Sequence, residues 1–284
     1  MTFAKGDTIG RGTVLRVDRY GDRLLVLTDR TPVHPVSFRW PDQAADTGTL
    51  STPSADYNLV DALTGLVNTA NSELVVGDAA KALGRVGDEW VSVVCHLLDP
   101  VGDELPVVGE EVVIKVDAQK REQLSIAHTA VHLSALALNR AVARFWTKEG
   151  VPTDSLGSPD FDKEAIERSL VHWEGSKDDY RLGKSLRKKG FDAGAALSAL
   201  EAITEEINRI VADWLSQASR ITIEPSETTL GSRRLWRCEL DGRSAEIFCG
   251  GTHVQSLGEL GSVTVELTPA VDGFSMTTRA TRAA

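Results

Sequence analysis

The stretch Ala245-Glu246-Ile247-Phe248-Cys249-Gly250-Gly251-Thr252-His253-Val254 reads as a strand that runs into a glycine turn, with an imidazole four residues after a thiol. Two adjacent glycines free the backbone to double back and to approach a ligand closely. A second stretch, His128-Thr129-Ala130-Val131-His132, lies where Leu124, His128, Val131, His132, Ala135, Leu136 and Leu138 recur at roughly helical spacing. Residues four apart stand on one face of an α-helix, a turn above each other, so both imidazoles can reach one ion. Imidazole nitrogen and thiolate are donors that zinc favours, and a mixed set of this kind is unusual for magnesium or calcium. Either stretch alone is weak, because a lone histidine pair is ordinary and a lone cysteine is most often a small buried hydrophobe. Together they predict a metal centre of His128, His132, Cys249 and His253.

Around these stretches the chain changes character once. Up to about residue 118 it is β-rich. Thr13–Val17 and Arg23–Leu27 flank Tyr20-Gly21-Asp22 as a hairpin, and Glu89–Leu97 and Glu111–Val116 add strands, which suggests a small β-barrel. Gly10-Arg11-Gly12 lacks the third glycine of a dinucleotide fingerprint at the required spacing and carries no phosphate reading. From 119 to 284 a long helix bears His128 and His132. Residues 160–217 read as interrupted helix, strongest over Ala195–Leu215, where Leu197, Leu200, Ile203, Ile207, Ile210, Val211 and Trp214 form an apolar stripe. Ile221–Glu224, Leu235–Leu240, Ala245–Phe248 and Ser262–Leu267 alternate as strands of an antiparallel sheet. The expectation is an α+β chain: an N-terminal barrel-like domain (1–118) and a metal-binding domain (119–284) of antiparallel sheet packed with helices, carrying a helical insertion near 160–217.

Composition narrows the function. The chain has 284 residues, enough for two cores, with 42% hydrophobic and 25% charged residues in ordinary globular proportion. No apolar run is long enough to span a bilayer, and the first residues lack the layout of a signal peptide, so a cytoplasmic protein without a membrane partner is expected. Three cysteines cannot build a disulfide framework. Cys95 and Cys238 sit in apolar strands and are expected to be buried and inert. A net charge of −10 argues against broad nucleic-acid binding, and no DNA partner is expected. One local basic stretch, Arg181, Lys184, Arg187, Lys188 and Lys189, is either a solvated helix face or a contact for a few phosphates.

The two motifs, His-Thr-Ala-x-His and Cys-Gly-Gly-Thr-His-Val, resemble those of the editing domain of alanyl-tRNA synthetase and of the freestanding AlaX proteins, with the editing domain of threonyl-tRNA synthetase more distant. Upstream, Pro41-Asp42-Gln43-Ala44-Ala45-Asp46-Thr47-Gly48 stands where that family has Gly-Gly-Gln-x-x-Asp-x-Gly. Gln43, Asp46 and Gly48 are kept, while Pro41 and Asp42 replace the glycines and restrict the loop. The family's Arg-Arg-Ile segment is altered to Gly273–Ala280. The resemblance implies a zinc-dependent deacylase that acts in trans, hydrolysing the ester between a hydroxylated amino acid and the acceptor end of a mischarged tRNA. It places Gln43 near the amino-acid pocket, with Asp46 and Thr252 as further substrate contacts and Gln43 beside the four metal ligands as a catalytic candidate. The basic stretch would meet tRNA. A homodimer stays open.

Zinc held by such donors lowers the pKa of a bound water to roughly 7 and polarises carbonyl oxygens, which suits ester hydrolysis. Thr252 has no neighbouring free base in the sequence and is read as a turn residue rather than a nucleophile. If all four ligands bind, however, the shell is closed, and closed shells are usually structural. Two alternatives therefore stand beside the deacylase: a tRNA-binding module with structural zinc, and a hydrolase or acyltransferase of small aminoacyl esters. The implied substrate is serine on the alanine tRNA, because an apolar synthetase pocket rejects a near-isostere weakly. The altered loop admits a larger β-hydroxy amino acid such as threonine or fluorothreonine.

Overall fold

Two apolar runs separated by Gly21-Asp22 fold as a hairpin of β1 (Ile9–Tyr20) and β2 (Arg23–Thr28) in the computed structural model, which describes residues 1–39, 41–225 and 229–284. Tyr20 pairs with Arg23 across a two-residue turn, and Gly21 takes the positive φ of 63° that such turns demand. The strands β3 (Gly48–Ser51), β4 (Asp56–Asn68), β5 (Leu74–Val76), β6 (Trp90–Leu98) and β7 (Glu111–Val116) complete an antiparallel sheet in the order β3-β7-β1-β2-β6-β4-β5. Because β3 also pairs with β4, the hydrogen-bond ladder closes on itself through six of the seven strands. A short helix, α1 (Asp78–Ala82), follows β5. Inward alternation of Val14, Leu24, Val26, Leu50, Tyr57, Leu59, Val112 and Ile114 builds the core. Gly12 lies within β1, where a Cβ would stand 2.5 Å from the Arg30 carbonyl oxygen. The glycines there serve strand packing.

These strands belong to the first of two units, made of residues 1–122, 223–234 and 250–252. Several of its buried polar groups are paired within the unit. His96 bonds Val26 O at 2.9 Å and Thr31 Oγ1 at 2.8 Å, and burial pushes its pKa down to about 4. Asp46, 2% exposed, is paired with the Arg121 guanidinium and accepts the His34 amide at 2.5 Å; Arg121 also donates to Pro32 O at 2.8 Å. Cys95 and Cys238 are buried as expected, and burial raises both thiols to about 12.

The second unit comprises residues 123–222, 235–249 and 253–284. It takes most of α2 (Ala118–Ala141), then α3 (Phe161–Ala165), β8 (Ile166–His172), β9 (Gly175–Arg181), α4 (Lys184–Lys188), α5 (Ala193–Ser198) and α6 (Leu200–Leu215). The strands β10 (Ile221–Glu224), β11 (Leu235–Leu240) and β12 (Arg243–Phe248) form a small sheet, and β13 (Leu260–Ala270) and β14 (Gly273–Arg282) join β9 and β8 in the order β13-β14-β9-β8. The chain is thus α+β with antiparallel sheets. The buried stripe of α6 lies on β13, where Asn208 donates to Val265 O and accepts from Val265 N, both at 2.8 Å. Asp241 and Gly242, with φ of 52° and 71°, close the β11–β12 hairpin, and the Asp241 carboxylate is held by Trp214 Nε1, Arg140 and Gln217.

The helical expectation for 160–217 fails over 166–181, which is the β8–β9 hairpin. The residues alternate there with period two, Ser169 and Val171 on one strand and Ser176, Asp178 and Tyr180 on the other being buried. Gly175, at φ 150°, lies so close to β14 that a Cβ would stand 1.7 Å from Thr278 O. At the start of β8, Asn139 donates to Asp154 at 3.0 Å and Asp160 at 3.2 Å, and the Tyr180 hydroxyl donates to Asp162 at 2.7 Å. Burial, with Asp178 and Asp160 adding, raises the Asp162 carboxyl to about 7.

A carboxyl whose folded pKa exceeds its unfolded one holds its proton better when folded. Its contribution is full below the unfolded value near 3.9 and is lost as pH rises through about 7. Asp162→Asn should therefore stabilise the protein at pH 8, by on the order of 1–2 kcal/mol after allowing for its partial exposure, and flatten the loss of stability between pH 4 and 7. Urea unfolding of both proteins across that range measures it.

Candidate metal centre

The helix α2 is built from Ala127, Ala130, Leu133, Ala135, Leu136, Ala137 and Leu138, strong helix formers that let 24 residues run unbroken. His128 and His132 stand a turn apart on it, 2% and 6% exposed, with ring centroids 5.1 Å apart. Cys249 follows directly on β12, and His253 lies beyond the glycine turn, its ring 4.6 Å from both other imidazoles. One ligand atom from each of the four lies within 4.8 Å of all the others. His128 Nε2 is 3.5 Å and His253 Nε2 3.3 Å from Cys249 Sγ. The structure brings together the four residues that the two motifs predict.

Their protonation suits a metal. Burial opposes ionisation of Cys249, but the pull of His128 and His132 and the hydrogen bond with His128 outweigh it and hold the thiol well below its usual value. Burial pushes His253 down to about 3 against the pull of Cys249. A thiolate and a neutral imidazole are the states in which these side chains ligate. The tautomer of His253 follows from its neighbour. Thr129 Oγ1 has one proton and donates it to Ser125 O at 2.8 Å, so at 3.2 Å from His253 Nδ1 it accepts a proton from that nitrogen. This leaves Nε2, the nitrogen beside Cys249, with its lone pair. Val254 N also donates to Thr129 Oγ1, at 3.3 Å, and Trp236 packs edge-on against His132 at 4.9 Å.

In the first unit, Gln43 grips Thr252 at both ends of its amide: Nε2 donates to Thr252 Oγ1 and Oε1 accepts the Thr252 amide, each at 3.0 Å. Arg234, stacked over Phe3, donates to Gly250 O at 2.6 Å. Gly250 and Thr252 are thus each held within the first unit by a side chain distant in sequence. Asp46 is engaged by Arg121 and the His34 backbone. Of the basic stretch, Arg181 pairs with Glu167 at 3.1 Å, Lys189 pairs with Glu164, and the Lys188 carbonyl accepts Lys148 Nζ at 2.9 Å. Arg181, Lys184 and Arg187 line a groove of about 1130 Å³ that also contains Glu164, Glu167 and Asp272, so its charge is mixed. Thr129, Arg121, Arg234 and Trp236 were not foreseen. Thr129 alone had a signal, its place between the two histidines.

An α+β chain with a three-histidine, one-cysteine cluster between a helix and a strand end is thus defined on structural grounds. No family model matches the sequence. It is similar to a stretch of several alanine–tRNA ligases: 26% identical over 266 residues to that of Parafrankia sp. (strain EAN1pec), covering 90% of this chain and 24% of the ligase. It is 29% identical over 181 residues to the ligase of Frankia casuarinae, covering 60% of this chain and 17% of the ligase, and 24% identical over 253 residues to that of Akkermansia muciniphila, covering 88% and 22%. The chain therefore spans about a quarter or less of the length of these relatives.

Metal-free protein is expected to take up one equivalent of zinc. Thr129→Val should weaken uptake by about 10–100-fold, the usual cost of losing a partner behind a ligand, and Cys249→Ala or His253→Ala by more. Competition with a chromophoric chelator measures all three.

Proposed function

We propose that the chain is a metal-dependent aminoacyl-tRNA deacylase of AlaX-like type, hydrolysing the ester of a mischarged tRNA that carries a hydroxylated amino acid. The observation that carries this reading is the donor cluster, three imidazoles and a thiolate within 4.8 Å. The similarity to alanine–tRNA ligases along 90% of the chain supports a tRNA-related role for it. His128, His132, Cys249 and His253 would hold zinc, which when bound acts as a Lewis acid and lowers the pKa of water to about 7.

The chain's own residues have separable parts in this scheme. Thr129 fixes His253 with its proton on Nδ1. Gln43, Asp46 and Thr252 are the candidate substrate contacts; Gln43 and Thr252 are bonded to each other, so either meets substrate only where those bonds open. The basic residues Arg181, Lys184, Arg187, Lys188 and Lys189 would meet a few acceptor-end phosphates; with acids beside them and a net charge of −10, binding is weak and salt-sensitive. Serine, threonine and fluorothreonine are the amino acids to test, and an aminoacyl-tRNA substrate implies a cytoplasmic setting. One observation favours a second reading. Four protein donors already complete a tetrahedral shell, as in structural zinc sites, which would make the chain a tRNA-binding module.

Purified protein of known zinc content should release amino acid from one of seryl-, threonyl- or fluorothreonyl-tRNA while sparing alanyl-tRNA. Chelation should abolish release and zinc restore it. His132→Ala should lose at least about 100-fold in rate with its fold kept, the order expected when an electrostatic catalytic element is removed. Folded, zinc-loaded protein that binds tRNA and releases nothing would transfer the conclusion to the binding module.

A further inference from the structure

Within the second unit a carboxylate is buried on the face of the sheet that packs against α2. Asp178 of β9 has no exposed surface; its Oδ2 accepts the Ser176 hydroxyl at 2.7 Å, and its Oδ1 has no hydrogen-bond partner. Its place follows from the sheet register. Val171 of β8 packs against Leu124, Ala127 and Val131 of α2, the face of the helix on which His128 stands. Val171 pairs with Ser176 and Ser169 with Asp178, and all four are buried on that face of the sheet. Asp178 is therefore one strand across from Val171, about 4.8 Å, and one inward step along, on the face of the sheet that packs against α2. Consistent with this, burial raises the Asp178 carboxyl to about 6 while Ser169, Ser176 and the charge of His128 act against the rise.

We propose that Asp178 is the buried counter-charge of the metal centre, a positioning residue that acts through His128 to hold a divalent cation. A divalent ion, one thiolate and three neutral imidazoles sum to a charge of +1, and a net charge away from water is costly unless an opposite one is near. The Asp178 carboxylate brings the buried assembly to neutrality. Ser169 and Ser176 keep it anchored on the sheet, so it balances the charge without competing for the ion.

The inference rests on the metal reading of the cluster, and one set of titrations separates the two. Metal-free wild type, Asp178→Asn and Ser176→Ala are titrated with zinc against a chelator and with cobalt(II) followed by its thiolate and ligand-field absorption. Asp178→Asn preserves shape and removes charge: the cobalt spectrum should keep its form, with affinity for both ions lower by about 10–100-fold. Ser176→Ala keeps the charge and should stay within about threefold of wild type. Asp178→Asn within threefold of wild type, or Ser176→Ala falling as far as Asp178→Asn, overturns the counter-charge while leaving the metal centre intact. No metal uptake by wild type overturns both. Should Asp178→Asn not fold, Asp178→Glu decides: retained affinity supports the charge, and a tenfold loss overturns it.

Discussion

The convergence of three imidazoles and a thiol from segments 121 residues apart, all within 4.8 Å, is the constraint that organises the second unit. Buried polar groups this dense cost folding energy unless something binds them together. Everything around the cluster limits motion. An unbroken helix fixes the spacing of His128 and His132, a hairpin with an Asp-Gly turn delivers Cys249, and Trp236 closes on His132. Asp241 ties that hairpin to α2 through Arg140 and to α6 through Trp214. The strand that carries the thiolate is thus tied to the helix that carries the histidines.

The orientation of His253 is set by a partner with no freedom left. Thr129 uses its one proton on its own helix, which makes it an acceptor for His253 and for the Val254 amide at once. A valine of the same size would keep the packing and lose this information. Gln43 performs the same service for Thr252, its amide giving one donor and one acceptor to one residue.

What could be read from the sequence had short-range chemistry behind it. The four clustered donors announced themselves by residue type and by a four-residue spacing in both motifs, and the hairpins at Gly21-Asp22 and Asp241-Gly242 sit at turn residues between alternating runs. The stripe of α6 was legible for the same reason, though it starts at Leu200 after a break at Ala199. Less visible were elements whose identity depends on neighbours far along the chain. The longest strand described, β4, has 13 residues and no continuous polar alternation, because its register shifts between Leu59 and Asp61 and the inward set changes there. The β8–β9 hairpin carries Ser, Lys, Asp and Arg, a composition that suits an exposed helix, and is made a sheet by its pairing with β14. Gln43 was singled out as a candidate for substrate. Its pairing with Thr252, 209 residues away, has no local signal. The same is true of Asp46 and Arg121, 75 residues apart.

The bond pair between Asn208 and Val265 has a consequence for how the molecule behaves in a crowd. The strand β13 is the last of its sheet, and an end strand offers its free backbone groups to any other chain that can pair with them. The Asn208 side chain presents to Val265 the same donor and acceptor that a neighbouring strand would. Midway along β13 the template is already occupied by an amide from the protein's own helix. A foreign strand would have to displace α6 before it could extend the sheet, so the helix that fills the core also keeps the edge from recruiting a second copy.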